Sequence, residues 1–490
     1  MKKINRQMVM RDYNKLKKLS KLCYFIGLYS WAMDMISNAA MLMYNFNIIY
    51  CDDELEILSK KVSIKILKQN KKNIVRKKNK VVFYDYFSID NRGVTEQYLQ
   101  GLMDNDYEIL YITLQEKIED MHNIIQKINS YKKADIYFVK KMKYEACNEI
   151  VEKILEFQPS KILYHSAPWD VIGYVTLSFF DKSKIDRFLI NLTDHAFWLG
   201  RDCVDYILEF RSYGANISID HRNIEGKKLF IIPYYPIQNS EIEFQGFPFD
   251  AECRRIIFSG GSLYKIYGST TFFDIVKTIL NLYPDTIFYY LGNGNVKPLI
   301  DFIQKNQFEN RFFYNKERKD INEVIKRCYF YLGTFPLGGG LMSQLAVANK
   351  KIPVAFTERK YLTNNIDELF VNNDDNEFTF YTLEDTYDEI KKLMESAEYY
   401  IQKTNELDNK LISTSEFSKL LYNIMENKNS IYNFRKYKID INSFSQIYFD
   451  QENNYLHSYK NYFFARKNIL VFILFPVRFF NKVIDKLFVK

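Results

Sequence analysis

His195 stands in the run LTDHAFWLG, directly behind Asp194 and just after an apolar stretch that reads as a strand. An imidazole titrates near neutrality and an adjacent carboxylate can hold its tautomer, so this pair is suited to taking a proton from an attacking hydroxyl. His165, in LYHSAPWD at the end of another strand-like run, is a second candidate for that work, with hydrogen-bonded packing at a strand end as the plain alternative for both. His122, His221 and His457 fall in polar helical or loop stretches and read as surface residues. The second chemical signal is glycine. The chain has only 17, yet 13 lie between Gly200 and Gly340, among them Gly260-Gly261, Gly292 with Gly294, and Gly338-Gly339-Gly340. Where glycine is otherwise avoided, such clusters mark backbone that turns tightly or comes close to a ligand. A glycine-rich turn from strand into helix offers free N–H groups and the positive end of a helix dipole, which suits a diphosphate. Lys265, four residues past Gly261, adds a full positive charge.

These groups need strand ends to hold them. From residue 80 onward, short β-branched and aromatic runs alternate with amphipathic stretches: VVFYDYF (81–87), YEILYIT (107–113), ADIYFVK (134–140), KILYHSA (161–167), RFLINLTD (187–194) and DYILEFR (205–211). That alternation predicts βαβ units and a parallel sheet. A turn-rich passage with Pro233, Pro236, Gly246 and Pro248 separates it from a second series, RIIFSGG (255–261), TIFYYLGNG (286–294), RFFYN (311–315), YFYLGT (329–334) and KIPVAFT (351–357). Helices are expected at 270–282, 296–305, 321–327 and 341–349 between them. The expected architecture is α/β, with two Rossmann-like domains facing a cleft at the carboxyl edges of their strands, where open sheets bind ligands. Its parts are a helical N-terminal domain and basic linker (1–79), a first Rossmann-like domain (80–245), a second (250–400), a helical extension packing back (401–459) and a basic amphipathic tail (460–490).

Charge is unevenly placed in the 490 residues. Residues 1–80 carry 18 Lys+Arg against 6 Asp+Glu, residues 460–490 carry 7 against 1, and the stretch between them sums to −10 although the whole chain is +8. An acidic body with basic ends fits an anionic membrane surface better than nucleic acid. The run 22–50 holds one charge, Asp34, in 29 residues, but Asn38, Asn45, Asn47 and two serines within it favour a buried helical hairpin over a membrane span. The tail has an apolar run of only nine residues (469–477), ending just past Pro476 and flanked by basic residues, which suits lying in an interface. Six cysteines show no CxxC spacing, so no structural zinc site or haem attachment is indicated. Neither domain opens on GxGxxG, so NAD binding is not supported. Asp104-Asn105-Asp106 has an Asp-x-Asp form, but it reads as the polar turn between a helix and a strand, and no metal site is expected.

The segment Gly261-Ser262 followed by LYKIYGSTTFF (263–273) resembles the corresponding segment of O-GlcNAc transferase and its bacterial relatives, and FPLGGGLMSQLAVANKKIP (335–353) is similar in spacing to their glycine-rich loop, helix and following strand. These are metal-independent GT-B glycosyltransferases that use nucleotide sugars. The resemblance implies that Gly261, Ser262, Lys265 and Gly292 line a donor site and that the turn Gly338, Gly339, Gly340, Leu341 and Met342 clasps a diphosphate, the donor being UDP-linked, with no other cofactor. Where the family has His-Thr-Thr this chain has Leu341-Met342-Ser343, and where it carries an acid for the ribose there is Ala346, leaving Gln344 or Glu358 for that role. The loop Asp90, Asn91, Arg92 and Gly93 falls where a GT-B first domain lines the cleft, so Asp90, Arg92 and Gly93 are candidates for acceptor or phosphate, as is Arg211, which is equally readable as an ion-pair partner. The resulting expectation is an inverting transferase moving a sugar to a glycan or lipid-linked acceptor in bacterial surface-polysaccharide synthesis. It would be cytoplasmic, held at the inner face of the membrane by its tail, and would bind no nucleic acid. An epimerase or glycerophosphotransferase on the same layout, or a degenerate transferase acting as a partner of an active one, are the alternatives.

Overall fold

The computed structural model describes residues 3–67, 75–90, 94–114, 118–180, 184–238, 242–360, 362–372 and 376–459. The basic linker from 68 to 74, Arg92, Gly93 and the basic tail from 460 onward lie outside the described residues. Three helices open the chain: α1 (Arg6–Phe25), α2 (Tyr29–Phe46) and α3 (Asp53–Ile66). The first domain follows as β1 (Lys77–Asp85), α4 (Thr95–Asp104), β2 (Glu108–Thr113), α5 (His122–Asn129), β3 (Ala134–Phe138), α6 (Lys143–Phe157), β4 (Pro159–His165), α7 (Val171–Leu177), β5 (Asp186–Asn191), β6 (Tyr206–Glu209), α8 (Ser212–Arg222) and β7 (Leu229–Ile231). An extended crossover leads to β8 (Arg255–Gly260), α9 (Thr271–Leu282), β9 (Thr286–Leu291), α10 (Lys297–Lys305), β10 (Phe312–Asn315), α11 (Ile321–Lys326), β11 (Phe330–Leu332), α12 (Gly340–Ala348), β12 (Pro353–Phe356), β13 (Thr379–Phe380), α13 (Leu383–Glu395) and α14 (Ala397–Asn405). The last described helices are α15 (Thr414–Asn427) and α16 (Ile441–Gln451).

The strands pair in parallel in two sheets, ordered β3-β2-β1-β4-β5-β6-β7 and β10-β9-β8-β11-β12-β13. Their central strands are buried on both faces, as the continuous apolar runs require once helices cover each side of a parallel sheet. The short strands β7 and β13 are additions to the expected pattern, because three and two residues are too few to show a period.

The run 22–50 forms the end of α1, a turn and α2, and no helix among the described residues is long and apolar enough to cross a membrane. α2 is buried around most of its circumference, with Ala32, Met35, Ile36, Ala39, Ala40 and Met43 in the core shared with the first sheet. It lies across the carboxyl edge of that sheet. Asp34 pairs with Lys143 beyond β3 (3.9 Å), Ser37 donates to the Trp169 carbonyl beyond β4 (2.8 Å), and Asn47, just past its end, donates to the His195 carbonyl beyond β5 (2.7 Å).

The helices after α14 pack in two places. α15 seals α4 of the first domain, so tightly that a Cβ on Gly101 would sit 2.8 Å from Leu421. α16 spans the helical layer and the second domain: Ser445 donates to the Phe46 carbonyl (3.0 Å), while Gln451 Nε2 donates to the carbonyls of Tyr264 (2.8 Å) and Tyr267 (3.0 Å).

Candidate functional site

The second domain builds a cationic, amide-lined rim. β8 ends at Gly260, Gly261 turns with φ 138°, and a 3-10 turn over Leu263–Ile266 carries Lys265. The β9 loop presses against this turn: a Cβ on Gly292 would stand 1.8 Å from the Gly261 carbonyl oxygen, so Gly292 is required by backbone contact, whatever binds beside it. Ser262, exposed, accepts the Lys265 N–H at its carbonyl (3.0 Å). Across the rim, Lys265 Nζ donates to the Gly338 carbonyl (3.0 Å) and the Leu337 N–H donates to the Lys265 carbonyl (3.2 Å), which ties the turn to the glycine loop before α12. Among the described residues no carboxylate pairs with Lys265. Burial, and secondarily the Arg211 charge, push its ammonium down to about 8.

The glycine loop is held from behind. Asn364 Nδ2 donates to the carbonyls of Thr334 and Phe356 (2.8 Å each), and its Oδ1 lies where a Gly338 side chain would begin, 2.1 Å from that Cβ position. Gly339 caps α12, and among the described residues no acceptor meets the N–H groups of Gly340, Leu341 or Met342. Amides at a helix N-terminus with an ammonium beside them are an arrangement whose chemistry suits an anion. Leu341 leans on the core of the first domain, and the Met342 methyl lies against Gly260.

The first domain offers the loop after β5. Asp194 is buried, with Oδ1 at 3.1 Å from His195 Nδ1 and Oδ2 accepting from Arg211 Nε at 2.5 Å. Burial alone would raise its carboxyl, but the Arg211 guanidinium and the His195 ring hold it well below the usual carboxylate range. With Nδ1 facing Asp194, Nε2 is the nitrogen left for chemistry, on a side chain 29% exposed. Arg222 shapes the loop. Fully buried, it donates to the carbonyls of Thr193 (3.2 Å), Asp194 (3.0 Å) and Ala196 (2.6 Å) and stacks by Trp198. Neither Arg222 nor Asn47 is marked by the sequence, since one ends a polar helix and the other sits 148 residues from the loop it fixes.

Arg211 does not present a free cation. Beyond Asp194 it donates to the Thr363 carbonyl of the second domain (2.9 Å), next to the Asn364 that buttresses Gly338. The ion-pair alternative is the one found, and it connects the histidine to the glycine loop across the cleft. His165 is buried too deeply for an acceptor: Nδ1 meets Asp85 at 3.0 Å, within a network that includes Thr95, Ser88 and Tyr111 and ties β1 to β4. Asp90 accepts the N–H groups of Asn123 (2.8 Å) and Ile124 (3.1 Å), capping α5 with both oxygens. Gln344 is buried and donates to the Tyr234 and Leu369 carbonyls (2.8 and 3.0 Å), a strut under the crossover that no ribose reaches. Glu358, beyond β12, is partly exposed and pairs with Lys360 (2.5 Å). Asp104 and Asp106 close the turn after α4 through Ser418 and Lys133, and among the described residues no three His, Cys, Asp or Glu side chains are gathered to hold a metal.

No known family profile matches the chain, and no curated protein matches it. Solved structures do. An O-GlcNAc transferase mutant from Thermobaculum terrenum is 12% identical, with 91% of this chain and 82% of that one covered and a TM-score of 0.55. Anabaena HepE in complex with UDP and glucose is 10% identical over 71% of this chain and 99% of that one, TM-score 0.51. UDP-GlcNAc 2-epimerase from Neisseria meningitidis, bound to UDP-GlcNAc, is 13% identical over 71% and 100%, TM-score 0.50. The chain therefore has the two-domain α/β GT-B fold, an architecture that its neighbours use both for glycosyl transfer and for epimerisation.

Proposed function

We infer that this protein is a glycosyltransferase that takes a UDP-linked sugar as donor. The observation that carries the reading is the ammonium of Lys265 set, without a carboxylate partner among the described residues, beside the free amides that open α12, with the Asp194–His195 pair on the opposing domain. The diphosphate of the donor binds that rim. His195 Nε2 takes the proton of an acceptor hydroxyl as its oxygen bonds to the anomeric carbon, and the bond from that carbon to the diphosphate oxygen breaks. Lys265 and the α12 amides stabilise the charge gathering on the departing UDP, with no metal ion needed for that work. Attack from the face opposite the leaving group inverts the anomeric centre. Closure of the two domains excludes water as the competing nucleophile. The UDP and UDP-sugar complexes of the HepE and epimerase neighbours support the choice of nucleotide. The acceptor that suits this reading is a glycan, free or lipid-linked, of bacterial surface-polysaccharide synthesis.

A melting-point panel of nucleoside diphosphates and their sugars tests it. UDP at a hundred times its dissociation constant stabilises by about 2.7 kcal/mol, a readily measured shift. Lys265→Met abolishes that shift while lowering the ligand-free melting point by no more than the loss of one hydrogen bond, that of Nζ to the Gly338 carbonyl, accounts for. Incubation of the binding nucleotide sugar with and without glycan acceptors then separates the chemistries. Acceptor-dependent release of UDP supports transfer, acceptor-independent interconversion of two nucleotide sugars would assign epimerisation, and binding without turnover would leave a non-catalytic partner.

A further inference from the structure

The outer flank of the first domain carries apolar surface that the cleft does not use. The end of α1, the turn after it and the start of α2 read LCYFIGLYSWAM (22–33), with no charged residue. It exposes Phe25 by 80%, Ile26 by 60%, Leu22 by 54% and Leu28 by 42%, and the rings of Tyr24 and Tyr29 flank it, 5.8 Å from Phe25 and 6.0 Å from each other respectively. Isolated exposed apolar residues are ordinary, whereas four within seven residues at the tip of a hairpin are a contact surface. A second segment lies on the same flank, because Lys143 pairs with Asp34 of α2 (3.9 Å). This is the stretch KKMKY (140–144) leading into α6, in which Met142 is 70% exposed, Tyr144 is exposed, and Lys140, Lys141 and Lys143 all face solvent. The backbone N–H groups of Lys140 and Lys141 donate to the Glu149 carboxylate (3.0 and 2.8 Å), and exposed Lys18 stands one turn before Leu22.

We propose that this flank, the α1–α2 tip together with the Lys140–Tyr144 stretch, seats the protein on an anionic lipid bilayer. Apolar and aromatic side chains projecting from a turn, ringed by lysines, match the boundary between acyl chains and charged headgroups, where aromatic rings and cations are both favoured. The seating has a geometric consequence. α2 runs from this tip to Asn47, which holds the His195 loop, so 18 helical residues place the proposed base up to about 27 Å from the lipid surface. The surface is distinct from the tail at 460–490, and the test separates the two.

The full chain is floated with vesicles of phosphatidylcholine alone and of phosphatidylcholine mixed with phosphatidylglycerol. Binding to the anionic vesicles, weakened by salt and reduced about tenfold or more in the Phe25→Asp/Ile26→Asp double variant, is the expected result. Both side chains are solvent-facing, so the double variant retains the wild-type melting point. An environment-sensitive fluorophore placed by Ile26→Cys in a Cys253→Ser background reports the tip directly: it blue-shifts on adding anionic vesicles and is quenched by brominated acyl chains. Flotation unchanged in the double variant with the fluorophore still in water would overturn the proposal in favour of another surface. A dimer in solution that the double variant dissolves, with no vesicle binding by either protein, would overturn it in favour of self-association.

Discussion

In the proposed reaction Lys265 and His195 work from opposite sides of one cleft, and their environments differ in a way that pH can read. The Lys265 ammonium loses its proton near 8 in the free protein because burial disfavours the charge. A bound diphosphate favours the protonated form, so UDP affinity is highest below that value and weakens as pH rises through it, by up to about tenfold per pH unit. Calorimetric titration with UDP at several pH values on either side of 8 measures this, and a flat affinity would show that Lys265 does not meet the phosphates. The same group gives the opposite trend in stability without ligand. Between about 8 and its ordinary 10.5 the unfolded chain holds a proton that the native state has released, so stability gains from this residue as pH rises across that window. At His195 the expected signature is kinetic: His195→Gln lowers turnover by about 10²–10⁴ while UDP still binds, since the ring lies outside the anion rim. Loss of UDP binding in that variant would put the histidine in the donor site instead. The position of both residues just beyond a strand end was legible in the sequence, because periodicity could locate β5 and β8. What Asp194 does with Arg211, what Arg222 does for the loop, and the burial of His165 and Gln344 depend on partners from 17 to 110 residues away, and spacing along the chain carries no trace of them.

At the scale of elements, the two glycine-rich loops look alike in sequence and do different work. Gly292 is fixed by the Gly261 carbonyl, which has no room to retreat because it belongs to the backbone of the adjoining strand end. Gly338 is fixed by a side chain, Asn364, whose amide is itself anchored to two carbonyls. Gly226 has open space, its nearest neighbour being 3.9 Å from a Cβ position. Alanine at Gly292 therefore destabilises by about 1–3 kcal/mol or more through backbone displacement, whereas alanine at Gly226 stays within about 0.5 kcal/mol of wild type. Denaturant titration of the two variants checks the ordering, and equal stabilities would mean that the strand-end loops are not in contact. The glycine clusters stand at the carboxyl edge of the second sheet, as expected, and periodicity placed α9 through α12 to within a residue at each end. Glycine scarcity could not separate close packing from ligand approach, because both demand a missing side chain.

At the scale of the whole molecule, the first helices and α16 are brought together over the cleft. The first three helices roof the carboxyl edge of the first sheet, and α16 returns from beyond the second domain to lie on that roof, with Phe449 against Phe46 at 5.1 Å. Its last residue, Gln451, reaches the carbonyls of Tyr264 and Tyr267 on either side of Lys265, and a Cβ on Gly268 would stand 2.9 Å from its side chain. One helix thus couples the layer that holds His195, through Asn47, to the turn that holds Lys265. Gln451→Ala leaves two carbonyls without their donor and lowers stability by about 1–3 kcal/mol. If α16 couples the layers, amide exchange quickens together in the Leu263–Ile266 turn and at the base of the α1–α2 hairpin, and UDP no longer slows exchange around Asn47. Faster exchange confined to the turn, with protection of the hairpin unchanged, would show that the two halves of the cleft are assembled independently and that the return of α16 only covers them.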